Sequence, residues 1–441
     1  MKRYFARDAL LPQGWAREVR ISVDLGDIVE VVPNAARGEE TLAGPVLPGM
    51  ANLHSHAFQR GMAGLAEMHG AAHDDFWTWR ELMYRFVERL TPEQAQAIAS
   101  YLYMEMLKHG YTGVAEFNYL NHPAGMLERH LDAARSAGIA ITLLPSLYRW
   151  SGFGNEPLQP RQRRFDSDCK SVLRMLDGLK GSLSSDIKVG VAPHSLRAVD
   201  PGSLNELVAA VPADAPIHIH AAEQTKEVED CKAALGKRPV EWLLENHRVD
   251  ARWCVVHATH MTIDETRALA ASGAVAGLCP TTEANLGDGI FPLLEYRAAG
   301  GRYGIGGDSH VSRDPAEELR HLEYAQRITL RKRNLVTGKT SPAVGTTLWL
   351  EAAAGGAQAL GRAMGAIAPG RRADLVVLDA GHPDLEGRSG DAIANALVFA
   401  GSTGLVRDVM VGGRWVVRDR RHSVEASAAA DYKRAVKALL A

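Results

Sequence analysis

Eight short apolar runs, each followed by a stretch of helical periodicity, recur through the middle of this chain and constrain its fold more than any other feature. They cover residues 48–54, 113–118, 139–145, 187–193, 216–220, 253–257, 274–280 and 303–308, with amphipathic segments such as 92–109, 124–137 and 240–247 between them. Strands buried on both faces and alternating with helices are the mark of parallel βα units. Eight such units close most economically as an α/β fold, a (βα)8 TIM barrel, here over residues 47–365. In such a barrel the chemistry sits at the C-terminal ends of the strands, so the polar residue that ends each run becomes a candidate.

The two ends of the chain have a different texture. Residues 19–23 and 28–32 are short alternating runs broken by Gly and Pro, and 373–378, 406–411 and 414–417 repeat that pattern around turns at Pro369-Gly370 and Gly412-Gly413. Alternation predicts small antiparallel strands. Residues 1–46 and 366–441 are therefore expected to build one β-domain together.

Composition excludes several classes of function. With 46% hydrophobic and 23% charged residues the 441-residue chain reads as globular, and a net charge of -2 gives no general attraction to nucleic acid or anionic membrane. Basic runs at 161–164 and 331–333 are short enough to be solvated faces. No signal-peptide core or membrane-length apolar stretch is present, and the four cysteines lie far apart without a CxxC pair. A cytoplasmic protein with reduced thiols is expected.

The strand ends carry the chemistry. The first run ends in His54-Ser55-His56, whose period-two spacing turns both imidazoles to one face. The fifth ends in His218-Ile219-His220, with Glu223 three residues beyond; the sixth ends at His257; the eighth ends in Gly306-Gly307-Asp308. Each alone reads equally well as a core histidine bonded to a carbonyl or as a capping aspartate. Jointly they converge on one barrel mouth, where buried polar groups are costly unless they bind something, and a metal site follows.

In order and spacing these residues resemble the amidohydrolase superfamily, a likeness that covers nearly the whole chain and includes the run PGRRADLVVLD at 369–379. The resemblance implies a distorted barrel flanked by a β-sandwich built from both termini. It implies His54, His56, His220 and Asp308 as metal ligands, with His218 the less apt of its pair. The fourth run offers Val191-Ala192-Pro193-His194, and Lys188 lies at its start, on the wrong side for the bridging lysine of binuclear members. One Zn²⁺ per chain is implied, with Fe²⁺ or Mn²⁺ as other occupants. Asp308 then takes a proton from water, Glu223 shuttles protons, and His257 orients the water or polarises developing charge. Hydrolytic deamination is the implied reaction.

The rest of the mouth bears on substrate. Gln59, Tyr119, His194 and Arg197 are hydrogen-bond donors suited to a carboxylate, although Arg197 reads equally as a structural salt bridge. With the runs DDFWTWRELMY, IHAAEQ and GDSHVSRDPAEELR, they resemble the N-formimino-L-glutamate deiminase family of histidine degradation. That likeness implies a small anionic amidine substrate, contacts from Gln59, Arg80, Tyr119, His194 and Arg197, and a homodimer. Thr281-Thr282-Glu283 stands where deaminase relatives commonly carry a Ser-Asn pair. Two other readings compete, a deaminase of a nucleobase or adenosine derivative and a non-catalytic assembly protein derived from such a barrel; the latter is expected to have lost ligands that are all present here.

Overall fold

The computed structural model describes residues 1–37, 40–69, 74–338, 341–401 and 404–441. Its centre is a parallel barrel whose strands are Met50–Ser55, Tyr111–Asn118, Ala140–Leu147, Ile187–Val189 with Ala192–Pro193, Ile217–Ala221, Trp253–His257, Val275–Leu278 and Arg302–Ile305. Sequential neighbours pair in parallel, and the last pairs with the first through Ile305 opposite Asn52. Closure falls between the fourth and fifth strands: the Val191 N–H donates to the Pro216 carbonyl at 2.9 Å, and the His218 N–H to the Val191 carbonyl at 3.0 Å. The eight βα units are therefore where the apolar runs place them.

Three boundaries differ from expectation, each for a local reason. The run 187–193 pairs with the third strand in two pieces, 187–189 and 192–193, with a break around Gly190, where the fifth strand approaches so closely that a Cβ would lie 2.4 Å from the Pro216 oxygen. The run 274–280 stops at Leu278, since Pro280 opens the helix Pro280–Leu286, a first-turn position where its missing N–H is harmless. The run 303–308 stops at Ile305, and Asp308 lies beyond it with φ +47°.

Both chain ends enter a single ten-stranded mixed sheet. Lys2–Leu11, Gly14–Asp24 and Asp27–Val32 form an antiparallel meander, and Leu375–Leu378, Val406–Val411 and Arg414–Arg418 form another. Val46–Pro48 joins them, parallel to the first strand and antiparallel to Leu375–Leu378. Gly412 and Gly413, with φ of +53° and +73°, make the tight turn read from the sequence. The strand Lys2–Leu11 was not expected, nor was the helix Glu425–Leu440, which returns to the barrel and stacks Tyr432 on Tyr101 with ring centres 4.5 Å apart.

The barrel helices show why these segments fold as they do. Pro92–His109 begins after Thr91, whose hydroxyl accepts from the Gln94 N–H while the Gln94 side chain returns to the Thr91 N–H; it ends at Gly110, φ +104°. Removing such a cap costs about 1 kcal/mol. Its inner face buries Ile98, Leu102, Tyr103 and Met106 against the strands. Among the described residues no helix is long and apolar enough to cross a membrane.

Candidate active site

The period-two geometry of the first strand sends His54 and His56 into the mouth and Ser55 to the opposite face. The His56 Nδ1–H donates to the Phe117 carbonyl at 2.8 Å, and the His220 Nδ1–H to the His194 carbonyl at 2.9 Å. Both rings therefore present a bare Nε2. His220 Nε2 lies 3.0 Å from His54 Nε2, and Asp308 Oδ1 lies 3.4 Å from His54 Nε2 and 3.5 Å from His56 Nε2. Burial pulls His54 and His220 well below the usual imidazole range and His56 down to about 3, so the rings are neutral. If His54 Nε2–H donates to His220, its own Nδ1 stays buried without a partner, and the bare His56 Nε2 faces the Asp308 carboxylate with no hydrogen between them. Lone pairs gathered in this way fit a cation, and three imidazoles with one carboxylate suit a catalytic Zn²⁺.

His218 lies on the same strand face but deeper in the barrel, with Nε2 bonded to the Ala359 carbonyl at 2.9 Å. Lys188 is exposed at the other end of the barrel and donates to the Gly361 carbonyl. Neither joins the cluster.

Glu223 and His257 stand beside it. His257 Nε2 is 3.8 Å from Glu223 and 4.0 Å from Asp308, and its Nδ1 is 3.2 Å from Glu283. Burial opposes charge on His257, but Glu223, the Glu283 hydrogen bond and Asp308 outweigh it and hold the ring well above the usual imidazole range. Burial pushes Glu223 up to about 7, a value suited to taking and giving a proton near neutrality. The turn that carries Glu223 is fixed from beneath by Glu227, which accepts from the Ala222 and Glu223 N–H groups at 3.1 and 2.9 Å. Ala222, His257, Ala258, Asp308 and His310 all have positive φ. Such strain gathers at functional sites.

The cluster opens into a cavity that every substrate-contact candidate lines: Gln59, Arg80, Tyr119, His194 and Arg197. Gln59 donates to the Tyr119 hydroxyl at 2.8 Å, and its Oε1 is buried without a partner. Among the described residues neither Arg80 nor Arg197 makes an ion pair, both have a buried Nε without a partner, and their guanidinium carbons lie 4.5 and 5.6 Å from the centre of the Trp77 ring. The structural salt bridge considered for Arg197 is not formed among the described residues.

Several supporting residues were not singled out in the sequence. Glu283, noted only as part of a departure, orients His257, and its neighbour Thr282 bonds the Gly307 carbonyl at 3.1 Å, holding the Asp308 turn. Trp77 and Glu227 were also missed. A buried-strand carboxylate, Glu116 in Val114-Ala115-Glu116-Phe117, was the one visible signal of a further polar layer.

Comparison with known proteins agrees with this geometry. The model of the amidohydrolase family matches residues 46–416, and that of the N-terminal domain of formimidoylglutamate deiminase HutF matches residues 1–41. The chain is 54% identical to a formimidoylglutamate deiminase of Pseudomonas aeruginosa, over the full length of both. An amidohydrolase of Brucella melitensis superposes with a TM-score of 0.95 at 46% identity, covering 100% of each chain. An adenosine deaminase of Xanthomonas campestris crystallised with zinc shares the fold at a TM-score of 0.83 and 21% identity, over 99% of this chain and 98% of that one. The chain belongs to the amidohydrolase family, with a formimidoylglutamate deiminase as a full-length homologue.

Proposed function

We propose that this enzyme is a metal-dependent deiminase that converts N-formimino-L-glutamate and water to N-formyl-L-glutamate and ammonia. The observation that carries the substrate is the pair Arg80 and Arg197, two cations in one cavity with no ion-pair partner among the described residues. A substrate with two carboxylates on an acyclic body supplies what they lack. Nucleobase readers have no use for two free guanidinium groups, which are strong bidentate partners of carboxylates. Gln59, Tyr119 and His194 add neutral polar contacts on the same wall.

His54, His56, His220 and Asp308 would hold the metal. When bound, Zn²⁺ supplies Lewis-acid activation of water and of the amidine. The chain's residues do the rest. Asp308 accepts a proton as water adds to the formimino carbon, and His257, charged and fixed by Glu283, hydrogen-bonds the developing oxyanion. Glu223 delivers one proton to the terminal nitrogen and then takes the proton remaining on the added hydroxyl, the proton held by Asp308 completes the leaving ammonia, the carbon–nitrogen bond breaks, and the carbon keeps the oxygen as formyl. The same reading takes zinc as the metal, one ion per chain, and a homodimeric, cytoplasmic enzyme; its support is the pair of donor groups His54–His56–Asp308 and His54–His220–His257, which share His54, the zinc in a structural neighbour, and four free, buried cysteines.

Ammonia release from formiminoglutamate, measured against purines, pyrimidines and guanidino acids, tests the assignment. A preference for formiminoglutamate is expected. Preference for a nucleobase overturns the substrate and leaves the deaminase chemistry standing. Metal analysis and light scattering check the single zinc and the dimer.

A further inference from the structure

Behind the first barrel strand, on the face turned away from the mouth, lies a polar network in what is otherwise an apolar strand–helix interface. Glu116, on the second strand directly opposite Ser55, is 1% exposed. Its Oε2 accepts from the Ser55 hydroxyl at 2.6 Å and from the Tyr103 hydroxyl at 2.9 Å, and its Oε1 accepts from the Ala57 N–H at 2.9 Å. Because the Ser55 hydrogen goes to Glu116, its oxygen accepts from His310 Nε2, at 2.8 Å. Among the described residues no Lys or Arg pairs with Glu116; His130 Nδ1 lies 3.7 Å away, and burial pulls that ring below its usual range.

A buried carboxylate without a cation costs several kcal/mol where an apolar side chain would pack. What it holds gives the reason. Ser55 stands between His54 and His56, Ala57 follows His56, and His310 lies two residues after Asp308. The backbones of these segments are themselves joined, since the Asp308 N–H donates to the His54 carbonyl and the His56 N–H to the Asp308 carbonyl, each at 3.0 Å. We propose that Glu116, acting through Ser55 and His310, is a positioning residue that sets the spacing between the His54/His56 pair and Asp308. The proposal rests on those residues binding the metal. Between Met50–Ser55 and Arg302–Ile305 there is a single register pair, continued beyond the strand only by the Ser55–Asp308 bridge, and Asp308 stands in a left-handed turn that needs a further constraint. The second-strand carboxylate supplies it from behind.

The test uses the zinc-loaded enzyme and reads zinc loss to dipicolinate together with kcat and KM. In Glu116→Gln one oxygen becomes an amide nitrogen that cannot accept, so zinc is expected to leave roughly 10- to 100-fold faster, with kcat lowered and KM for the substrate little changed. Ser55→Ala cuts the Glu116–Ser55–His310 link but leaves the Ala57 bond to Glu116, and should give a smaller effect of the same kind. Tyr103→Phe removes a donor on the side of Glu116 away from the metal, so it should lower Tm without speeding zinc loss. A folded Glu116→Gln enzyme with wild-type zinc retention and kcat overturns the proposal, as does Tyr103→Phe releasing zinc as fast as Glu116→Gln. If Glu116→Gln does not fold, the contrast between Ser55→Ala and Tyr103→Phe decides in the same way. Wild-type enzyme that binds no zinc refutes the metal reading itself, an outcome distinct from a variant that matches a zinc-binding wild type.

Discussion

The two halves of the cavity are built by opposite means. On the floor, each ring of the proposed metal site is carried on or just beyond a barrel strand, and His56 and His220 are each oriented by a carbonyl bonded to the far ring nitrogen. On the wall, Arg80 comes from the helix Phe76–Arg89 and Arg197 from the segment after the fourth strand, and both rest on the face of Trp77 rather than in hydrogen bonds. The floor is preorganised; the wall keeps its donors free for a ligand. A metal tolerates little error in ligand placement, whereas a carboxylate is drawn in by charge and settles into a pair of forks.

If that contrast holds, damage to the floor abolishes chemistry and damage to the wall weakens binding. The largest effect is expected for Asp308→Asn, which should lose zinc on chelator challenge and lower kcat/KM on the order of 10⁴-fold; a variant that keeps metal and most of its turnover would remove Asp308 from the floor. Glu223→Gln retains the shape of the side chain but not the base, so kcat should fall roughly 10²-fold or more with zinc content unchanged. Near-normal kcat there would assign the proton transfer elsewhere.

On the wall, Arg197→Met should leave zinc content and Tm as in the wild type while lowering kcat/KM on the order of 10²-fold, the scale of losing one buried charged partner. The defect should shrink for an amidine lacking one carboxylate. Equal impairment of charged and uncharged amidines would mean that Arg197 does not read the anion. Trp77→Leu is expected to be milder, since a cation–π contact contributes about 0.5–2 kcal/mol; KM should rise on the order of 10-fold at constant kcat, and a change in kcat alone would place Trp77 outside substrate binding.

The smallest effect concerns Asp288, which lies behind the Glu223 side of the floor. It is buried, accepts from Gln224, and burial together with Glu223 pushes its carboxyl up to about 9. In the unfolded chain the same group ionises at about 4. The folded state is therefore favoured in acid and progressively penalised as pH rises from about 4 to 9. Asp288→Asn escapes that penalty, so its Tm relative to wild type should rise between pH 5 and pH 8, by a few degrees at most. An offset that does not change with pH would show that Asp288 ionises normally.

The sequence by itself determined the barrel and the list of polar residues that its mouth gathers, Arg197 among them. Buried strands are continuous apolar runs, so eight of them stand out, and the rule that barrel chemistry sits at strand ends turned His54, His56, His220, His257 and Asp308 into one list. Spacing along a strand also placed both His54 and His56 on one face without knowledge of any partner. Only the tertiary structure decided the rest, because it depends on contacts between residues distant in the chain. The early end of the eighth strand, which leaves Asp308 in a strained turn, follows from bonds to His54 and His56 more than 250 residues away. Whether Arg197 was a salt bridge or a free cation depended on which carboxylates the fold brought near it, and among the described residues it brought none close enough to pair. Glu116 looked like one polar residue in a buried strand; its meaning came from Ser55, Tyr103 and His310, three side chains that only the packed barrel gathers around it.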